Sequence, residues 1–226
     1  MKNVKVPDDM QVGTVYTSVN CGDFEILEYV NSGDVKIKFL NTGYERSATA
    51  INVRNKTVRD PYHPSFYGKG YTGVGEHSTS VNNKHTKIYS RWKGMLERCY
   101  SQAPKRREIF KMYDDCEVCD YFLNFQNFAS WWIENYPKDG KEYQLDKDKL
   151  GDGNNKIYSP ETCCFLTGQE NTEIAVSKPY RFISPDGVLH EGVNMHKFAK
   201  EHRLDSSSLV KLNKGKLKKH KGWTKA

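Results

Sequence analysis

Acidic and amide side chains recur between residues 145 and 171 at spacings that could bind a metal ion. Leu145-Asp146-Lys147-Asp148 is followed by Gly153-Asn154-Asn155, and Asn171 lies further along the chain. Mg²⁺ prefers oxygen ligands, and a bound ion can stabilise developing negative charge and activate a water molecule. These residues therefore predict a Mg²⁺ or Mn²⁺ site formed by Asp146, Asp148 and Asn171. The alternative is a solvated turn at the two aspartates, with Asn171 on a helix surface.

Two cysteines spaced as Cys116-x-x-Cys119 form a second candidate site. Two thiolates at this spacing can bind one side of a tetrahedral Zn²⁺, and Cys163 together with Cys99 would complete a possible structural zinc site. Cys163 and Cys164 are adjacent, so on a strand they point to opposite faces and at most one is an easy ligand. The alternative is that the cysteines are buried without a metal and pack beside an apolar helix stripe.

The acidic segment lies in a pattern of strand, long loop, strand and helix. We predict strands at 143–148 and 163–166, separated by a Gly/Asn/Asp-rich loop and the turn Ser159-Pro160-Glu161-Thr162. Thr167 or Gly168 would then cap a helix that continues to about residue 176. Such a compressed ββα unit is a suitable scaffold for a metal site.

This segment resembles the motif of the HNH, or His-Me finger, nucleases, which hydrolyse phosphodiester bonds. The resemblance implies that Asp146 and Asp148 occupy the acidic positions and that Lys147 stands where the family has its general-base histidine. It also implies that Thr162 stands at the middle asparagine and that Asn171 is the final metal ligand.

The sequence departs from the family pattern at the base, because no histidine lies between residues 86 and 189. Either Asp146 or Asp148 takes that role, or a distant histidine such as His77 or His85 folds into the site, or the site is inactive. A lysine that is protonated near pH 7 cannot act as the base unless burial strongly lowers its pKa.

The flanking motifs are similar to those of a phage-encoded group described as HNH homing-type endonucleases. The similarity covers roughly residues 88–176 and includes Trp92-x-x-Met95-Leu96-x-Arg98-Cys99-Tyr100 and Phe125-x-x-Phe128-x-x-Trp131. The tail, with Phe198-Ala199-Lys200-Glu201-His202, is similar to the modular DNA-binding repeats attached to intron-type homing nucleases. The resemblance implies a metal-dependent endonuclease that cleaves duplex DNA.

Two further regions show regular patterns. Four runs rich in β-branched and aromatic residues predict strands in a small barrel or curled sheet, at 12–17, 24–30, 35–40 and 44–51. Between residues 88 and 135, two apolar stripes at helical spacing predict core helices rather than a cofactor site, through Trp92, Met95, Leu96 and Cys99 and through Phe122, Phe125, Phe128, Ala129 and Trp132. Between the stripes, Ala103–Arg107 reads as a polar break.

The formal net charge of +7 is concentrated at one end of the chain. Residues 178–226 contain 12 Lys and Arg against 4 Asp and Glu, whereas residues 1–177 carry a net charge of −1. A block of one sign predicts attachment to a polyanion, and the alternative is a solubilising lysine tail.

The basic tail also has a structural plan of its own. We predict a hairpin around Pro185-Asp186-Gly187 and two short helices, capped by Asn194 and by Asp205 or Ser206, in a helix-turn-helix-like arrangement. The candidate DNA-binding residues are the cations of this module and of one earlier basic run: Arg203, Lys211, Lys214, Lys216, Lys218, Lys219 and Lys221, with Lys105, Arg106 and Arg107.

These features predict an α+β protein in three parts: a β module at 1–75, an HNH-like nuclease domain at 76–177 and a basic DNA-binding module at 178–226. The expected partner is double-stranded DNA, and the expected cofactors are Mg²⁺ or Mn²⁺ with a possible structural Zn²⁺. The alternative is a catalytically degenerate phage protein that binds DNA or a host factor, and a third hypothesis is an RNA-directed nuclease. No run of ~18 apolar residues and no secretory signal is present, so we expect a cytoplasmic protein, in the host cytoplasm if it is phage-encoded.

Overall fold

The computed structural model describes residues 5–147, 156–176 and 179–226. These residues form a mixed α+β structure with several small sheets. Its helices are α1 (Ala50–Arg54), α2 (Lys87–Tyr100), α3 (Pro104–Ile109), α4 (Asp120–Leu123), α5 (Phe125–Asn135), α6 (Gly168–Val176), α7 (Met195–Glu201) and α8 (Ser206–Asn213). Its strands are β1 (Val15–Ser18), β2 (Gly22–Asn31), β3 (Asp34–Phe39), β4 (Glu45–Ala48), β5 (Ser80–Val81), β6 (Lys84–His85), β7 (Glu117–Val118), β8 (Tyr143–Asp146), β9 (Ile157–Tyr158), β10 (Cys164–Thr167), β11 (Tyr180–Ile183), β12 (Leu189–Gly192) and β13 (Thr224–Lys225).

The chain divides into two compact units. The first unit combines Met1–Asn135 with Asn154–Thr162, and the second combines Tyr136–Gly153 with Cys163–Ala226. The division into parts at 1–75, 76–177 and 178–226 stays a prediction.

The first unit begins with a four-stranded sheet in the order β1-β2-β3-β4. The strands are antiparallel, and Phe24 and Ile26 of β2 lie opposite Phe39 and Ile37 of β3. These four side chains are fully buried, because alternate residues of each strand face the core. All four predicted strands are present.

The predicted fourth strand is wrong at its end, where the chain turns into α1 rather than remaining extended to Ile51. The Oγ1 atom of Thr49 accepts a hydrogen bond from the backbone N–H of Asn52 at 3.3 Å. This side-chain cap satisfies a donor of the first turn and starts the helix, despite the β-branched residues within it.

The aromatic stripes form the core of α2, α4 and α5, as predicted. Trp92, Phe122 and Phe128 are fully buried, and the Nε1 atom of Trp92 donates to the backbone carbonyl of Phe122 at 2.8 Å. The predicted polar break between these helices is instead largely helical, because Pro104 stands at the start of α3, where a missing N–H costs nothing.

Short strands complete the first unit. Strand β7 pairs in parallel with β9, and β5 pairs with β6 in a hairpin. The backbone N–H of Cys119 donates to the carbonyl of Tyr158 at 3.0 Å, so the chain after β7 is also held against β9.

The second unit contains both predicted strands and the predicted helix, whereas residues 148–155 of the predicted loop region lie outside the described residues. Strand β8 pairs antiparallel with β10, with Asp146 opposite Cys164 and Gln144 opposite Leu166, and α6 follows β10 directly. The first predicted strand reached to residue 148, and Asp148 lies outside the described residues.

The tail of the second unit folds around its own apolar core. Strands β12, β11 and β13 form a three-stranded sheet, which packs with α7 and α8 around Phe182, Phe198, Leu209 and Trp223. The hairpin of β11 and β12 and both tail helices are present as predicted. In the described part of the chain, no helix is both long and apolar enough to cross a membrane.

Candidate metal centre and nucleic-acid interface

Asp146 occupies the last position of β8 and is half-buried. Because side chains alternate across a strand, Gln144 and Asp146 lie on one face of β8, with their Cα atoms about 6–7 Å apart. Any ligand held by Asp146 would therefore be approached by groups that reach this face of the strand.

Asn171 is positioned by the first turn of α6, which begins with a reciprocal cap. The Oγ1 atom of Thr167 accepts from the backbone N–H of Glu170 at 3.2 Å, and the Oε2 atom of Glu170 accepts from the N–H of Thr167 at 2.8 Å. This capping box satisfies two donors that the first turn cannot pair internally. Asn171 is the next residue, so the cap holds the helix backbone that carries it.

The side chain of Asn171 reaches β8 at Gln144. Its Nδ2 atom donates a hydrogen bond to the Oε1 atom of Gln144 at 2.9 Å. This contact uses the Nδ2 atom of the amide and leaves its Oδ1 atom as the acceptor. Gln144 was not among the predicted site residues, because the sequence gives no sign of a contact that spans 27 residues.

The oxygen atoms of this unit fit the coordination chemistry of Mg²⁺. The Asp146 carboxylate and the Asn171 amide are hard donors, and Mg²⁺ commonly keeps most of its waters while binding one or two protein carboxylates and the substrate phosphate. Within the described residues, no three His, Cys, Asp or Glu side chains are grouped so as to hold a metal ion. The metal site at Asp146 and Asn171 stays a prediction, and its third member, Asp148, lies outside the described residues.

Lys147 follows β8 and is only 7% exposed. This lysine stands at the position where the HNH resemblance places the general-base histidine. The structure therefore has a buried lysine side chain at this point of the ββα unit.

Thr162 closes the turn that follows β9 in the first unit. Its hydroxyl donates to the backbone carbonyl of Ile157 at 2.6 Å and accepts from the backbone N–H of Ser159 at 3.0 Å. A hydrogen bond from the Ser159 hydroxyl also lowers the pKa of the exposed Glu161 carboxyl. Thr162 thus braces residues 157–162, and its assignment as a site residue stays a prediction.

The two histidines considered as distant bases have partners within the first unit. The Nε2 atom of His77 lies 2.9 Å from the hydroxyl of Ser130, and its backbone exchanges two hydrogen bonds with the side chain of Gln126. His85 packs against Tyr89 with ring centroids 4.8 Å apart.

The cysteines proposed for zinc are mostly buried. Cys99, Cys116 and Cys163 are each at most 5% exposed, and burial raises the pKa of the half-buried Cys119 thiol. A raised pKa disfavours the thiolate that Zn²⁺ requires, unless the metal itself drives off the proton. The zinc site stays a prediction.

The basic run on α3 is largely neutralised by neighbouring carboxylates. Arg106 pairs with Glu97 at 3.0 Å and Arg107 pairs with Asp114 at 2.8 Å, whereas Lys105 is exposed. The two arginines are thus less available to phosphate than the sequence indicates.

The predicted cations of the tail are all exposed. They lie at the turn before α8, at its C-terminal end and in the following loop, at Arg203, Lys211, Lys214, Lys216, Lys218, Lys219 and Lys221. The ion pairs in the described part of this module use other cations, Arg181 with Glu191 and Lys197 with Glu201. The seven charges are therefore available to an external polyanion.

Backbone geometry at the end of α8 fixes the path of these lysines. Gly215 has a φ of +70°, and the N–H of Lys216 donates to the carbonyl of Lys211 at 2.8 Å, as in a Schellman cap. The Nζ atom of Lys221 donates to the backbone carbonyl of Arg203 at 3.0 Å and so links the loop to the turn before α8.

No family model matches the chain, and no curated protein sequence matches it. Among solved structures, the chain is similar to one described as "DNA binding and cleavage by the HNH homing endonuclease I-HmuI", with 21% sequence identity and a TM-score of 0.22. The match covers 44% of this chain and 65% of that chain, slightly under two thirds of its length. A TM-score of this size is too low to establish a common fold.

Proposed function

We propose that this protein is a metal-dependent DNA endonuclease of HNH type, phage-encoded and homing-like, whose basic tail binds the DNA. The observation that carries the proposal is the ββα unit, in which Asn171 of the closing helix is hydrogen-bonded to β8 two residues before Asp146. The residue types at these positions are those that the sequence resemblance implies for the metal site.

The side chains of the ββα unit would act by holding the metal ion and by orienting its ligands. Asp146 and Asn171 would hold the ion, which when bound stabilises negative charge on the scissile phosphate and activates water. Gln144 would orient Asn171 by accepting from its Nδ2 atom, so that Oδ1 is presented as the ligand atom. The cap formed by Thr167 and Glu170 would keep the helix start in place.

The proton of the attacking water needs an acceptor other than the usual histidine. The sequence has no histidine between residues 86 and 189. A carboxylate of the same segment, Asp146 or Asp148, is therefore proposed as the base. Since an unperturbed carboxylate is a weaker base than histidine, we expect slow cleavage that depends strongly on the metal.

The tail would supply most of the affinity for DNA. Seven exposed cations lie around α8 and the loop that follows it. Such cations bind phosphates and release condensed counterions, so affinity should fall steeply as salt increases. Phosphate contacts fix register on the duplex without reading its sequence.

Incubating the purified protein with supercoiled and linear duplex DNA, with and without Mg²⁺ or Mn²⁺, tests the activity. New DNA ends should appear only with metal, and Asp146→Ala and Asn171→Ala should abolish them. Calorimetric titration with Mn²⁺ gives a second readout, in which both variants should bind the ion more weakly.

Asp139→Asn is the matched control, since it removes a carboxylate of the same unit that bonds to Tyr143 rather than to the proposed site. This variant should retain cleavage and Mn²⁺ binding. Cleavage that persists in both the Asp146 and Asn171 variants would overturn the site assignment.

A second candidate function is DNA binding without cleavage. The observation that favours it is Lys147, which is buried at the position implied for the base. The same assay separates the two functions, because retarded DNA without new ends under every metal condition supports the binding protein. Structured RNA as a parallel substrate tests the RNA-directed alternative.

A further inference from the structure

The first unit contains a groove of about 750 Å³ beside the four-stranded sheet. Its walls come from the turn before β2, from the start of β4 and from the segment between residues 59 and 74. Two arginines line it, Arg46 on β4 and Arg59 on the segment that follows α1. Both side chains are exposed.

Arg46 is held in place by the backbone of the opposite wall. Its Nη1 atom donates to the carbonyl of Arg59 at 3.2 Å, and its Nε atom donates to the carbonyl of Ser47 at 3.3 Å. Both acceptors are neutral, so the guanidinium keeps its full charge while its position is fixed. The arrangement brings the cation of β4 next to residue 59.

Two other cations of this module are paired with carboxylates. Arg54 forms a bidentate ion pair with Asp9 at 2.6 and 3.0 Å, and Lys36 forms an ion pair with Glu28 at 2.6 Å. In the part of the chain that the structure describes, Arg46 and Arg59 have no such ion-pair partner. The groove is therefore lined by two exposed cations that no carboxylate of the described chain pairs with.

Asp60 is the carboxylate among the described lining residues, and it is used internally. It is 4% exposed and accepts hydrogen bonds from the hydroxyl of Thr42 at 2.5 Å and from the backbone N–H of Tyr62 at 2.8 Å. These bonds hold the segment against the end of the sheet. The lining thus presents two exposed guanidinium groups against one buried carboxylate.

The remaining lining groups include a histidine and a tyrosine. His63 also lines the groove, and its Nδ1 atom is buried without a hydrogen-bond partner among the described residues. Tyr44 lines the same groove and packs edge-on against Tyr62 at 5.3 Å. Aromatic rings beside cations bind the bases of single strands, whereas contact with a duplex backbone needs only the two cations.

We propose that this groove binds the phosphodiester backbone of the DNA substrate through Arg46 and Arg59. The inference rests on the proposed function, because it takes DNA as the partner, and it adds a contact site outside both the ββα unit and the basic tail. Guanidinium groups suit this role, since their planar donors match phosphate oxygens in pairs.

Fluorescence anisotropy of the full chain with a labelled duplex, measured over a range of salt, tests the proposal. Each lost phosphate contact lowers the magnitude of the negative slope of log affinity against log salt by about 0.9, so Arg46→Gln with Arg59→Gln should lower that magnitude by about 1.8. Arg46 also donates hydrogen bonds to two backbone carbonyls, so its replacement could disturb the fold. The second variant is therefore Arg59→Glu alone, which should weaken DNA binding more than Arg59→Gln. Thermal unfolding verifies that each variant is folded.

The control is Lys36→Gln with Arg54→Gln, which removes the same charge from the same module at two ion-paired positions. Its salt slope should equal that of the unmodified protein. Equal slopes for the groove variant and this control would overturn the proposal.

Two further measurements identify the ligand of the groove and distinguish a failure of the groove site from a failure of the proposed function. Inorganic phosphate, added at constant ionic strength, should not displace DNA from the groove. If phosphate does displace DNA, and this competition disappears in the groove variant, the groove is a site for free phosphate instead. If substitution of Lys214, Lys216 and Lys218 weakens DNA binding but the groove variant does not, only this inference fails. If the unmodified protein does not bind DNA, the proposed function fails together with it.

Discussion

The side-chain amide of Asn171 donates a hydrogen bond to the Oε1 atom of Gln144 across 2.9 Å. This contact connects the closing helix of the ββα unit to its first strand, on the strand face that also carries Asp146. A single neutral hydrogen bond at a partly exposed site contributes little to stability, on the order of 1 kcal/mol. We expect its larger effect to be on orientation, because the hydrogen bond uses Nδ2 and leaves Oδ1 for a ligand.

Replacing Gln144 with Ala should therefore weaken metal binding more than it weakens the fold. Residues that orient metal ligands typically contribute 10–100-fold to metal affinity or activity, and we expect a loss of roughly that size in Mn²⁺ affinity and in cleavage. Gln144→Glu keeps an acceptor for Asn171 and should restore most of the binding. Calorimetry with Mn²⁺ measures the effect, and unchanged affinity in Gln144→Ala would contradict the positioning role.

The capping box at the start of α6 should contribute to stability. Thr167→Val removes the hydroxyl that accepts from Glu170 and should lower the free energy of unfolding by about 1 kcal/mol. Glu170→Gln keeps an acceptor for the backbone N–H of Thr167 and is the milder control. Chemical denaturation measures both, and equal losses in the two variants would argue against the reciprocal cap.

Local patterns in the sequence predicted the elements whose residues are close along the chain. The apolar stripe of α2 and the hairpin of β11 and β12 are such elements, since periodicity and a tight turn define them. The start of α1 was mispredicted, because Ile51 and Val53 suit a strand and the cap at Thr49 decided the outcome. A side chain that hydrogen-bonds to the neighbouring backbone can decide the local conformation, and average strand and helix propensities do not capture this effect.

Contacts between segments that are distant along the chain could not be predicted from local sequence patterns. The parallel pairing of β7 with β9 joins two-residue strands, which carry no periodic signal of their own. Likewise, the basic run at Arg106 and Arg107 looked available for phosphate, but its charges are paired with Glu97 and Asp114. Both outcomes depend on which segments meet in the fold, and composition does not specify that.

The lysines that follow α8 should set the salt dependence of DNA binding. If each of Lys214, Lys216 and Lys218 contacts one phosphate, replacing all three with Gln should lower the magnitude of the slope of log affinity against log salt by about 2.7. Lys197→Gln is the control, because Lys197 lies near the carboxylate of Glu201 at 4.0 Å rather than in the basic cluster. Anisotropy at several salt concentrations measures the slope, and a triple variant with an unchanged slope would place the DNA contacts elsewhere.

The N-cap of α8 should make the tail module sensitive to acid. Hydrogen bonds from Ser208 hold the pKa of the Asp205 carboxyl below its usual 3.8, and its Oδ1 atom accepts from the backbone N–H of Ser208 at 2.8 Å. A carboxyl whose pKa is lowered in the folded state stabilises that state above pH 3.8 and loses this contribution as pH falls through the lowered pKa. Asp205→Asn keeps a good cap that does not titrate. Its stability relative to the unmodified protein should therefore rise as the pH falls below 3.8.

NMR titration of the Asp205 carboxyl carbon gives the direct measurement. The carboxyl should titrate below 3.8 in the unmodified protein and move toward 3.8 in Ser208→Ala, because that variant loses the side-chain hydrogen bond, the largest cause of the shift. The backbone N–H of residue 208 remains in Ser208→Ala, so the helix keeps its cap and the two effects separate. An Asp205 carboxyl that titrates at or above 3.8 would show that the cap is not formed in solution, and α8 would then present its lysines from a less ordered helix.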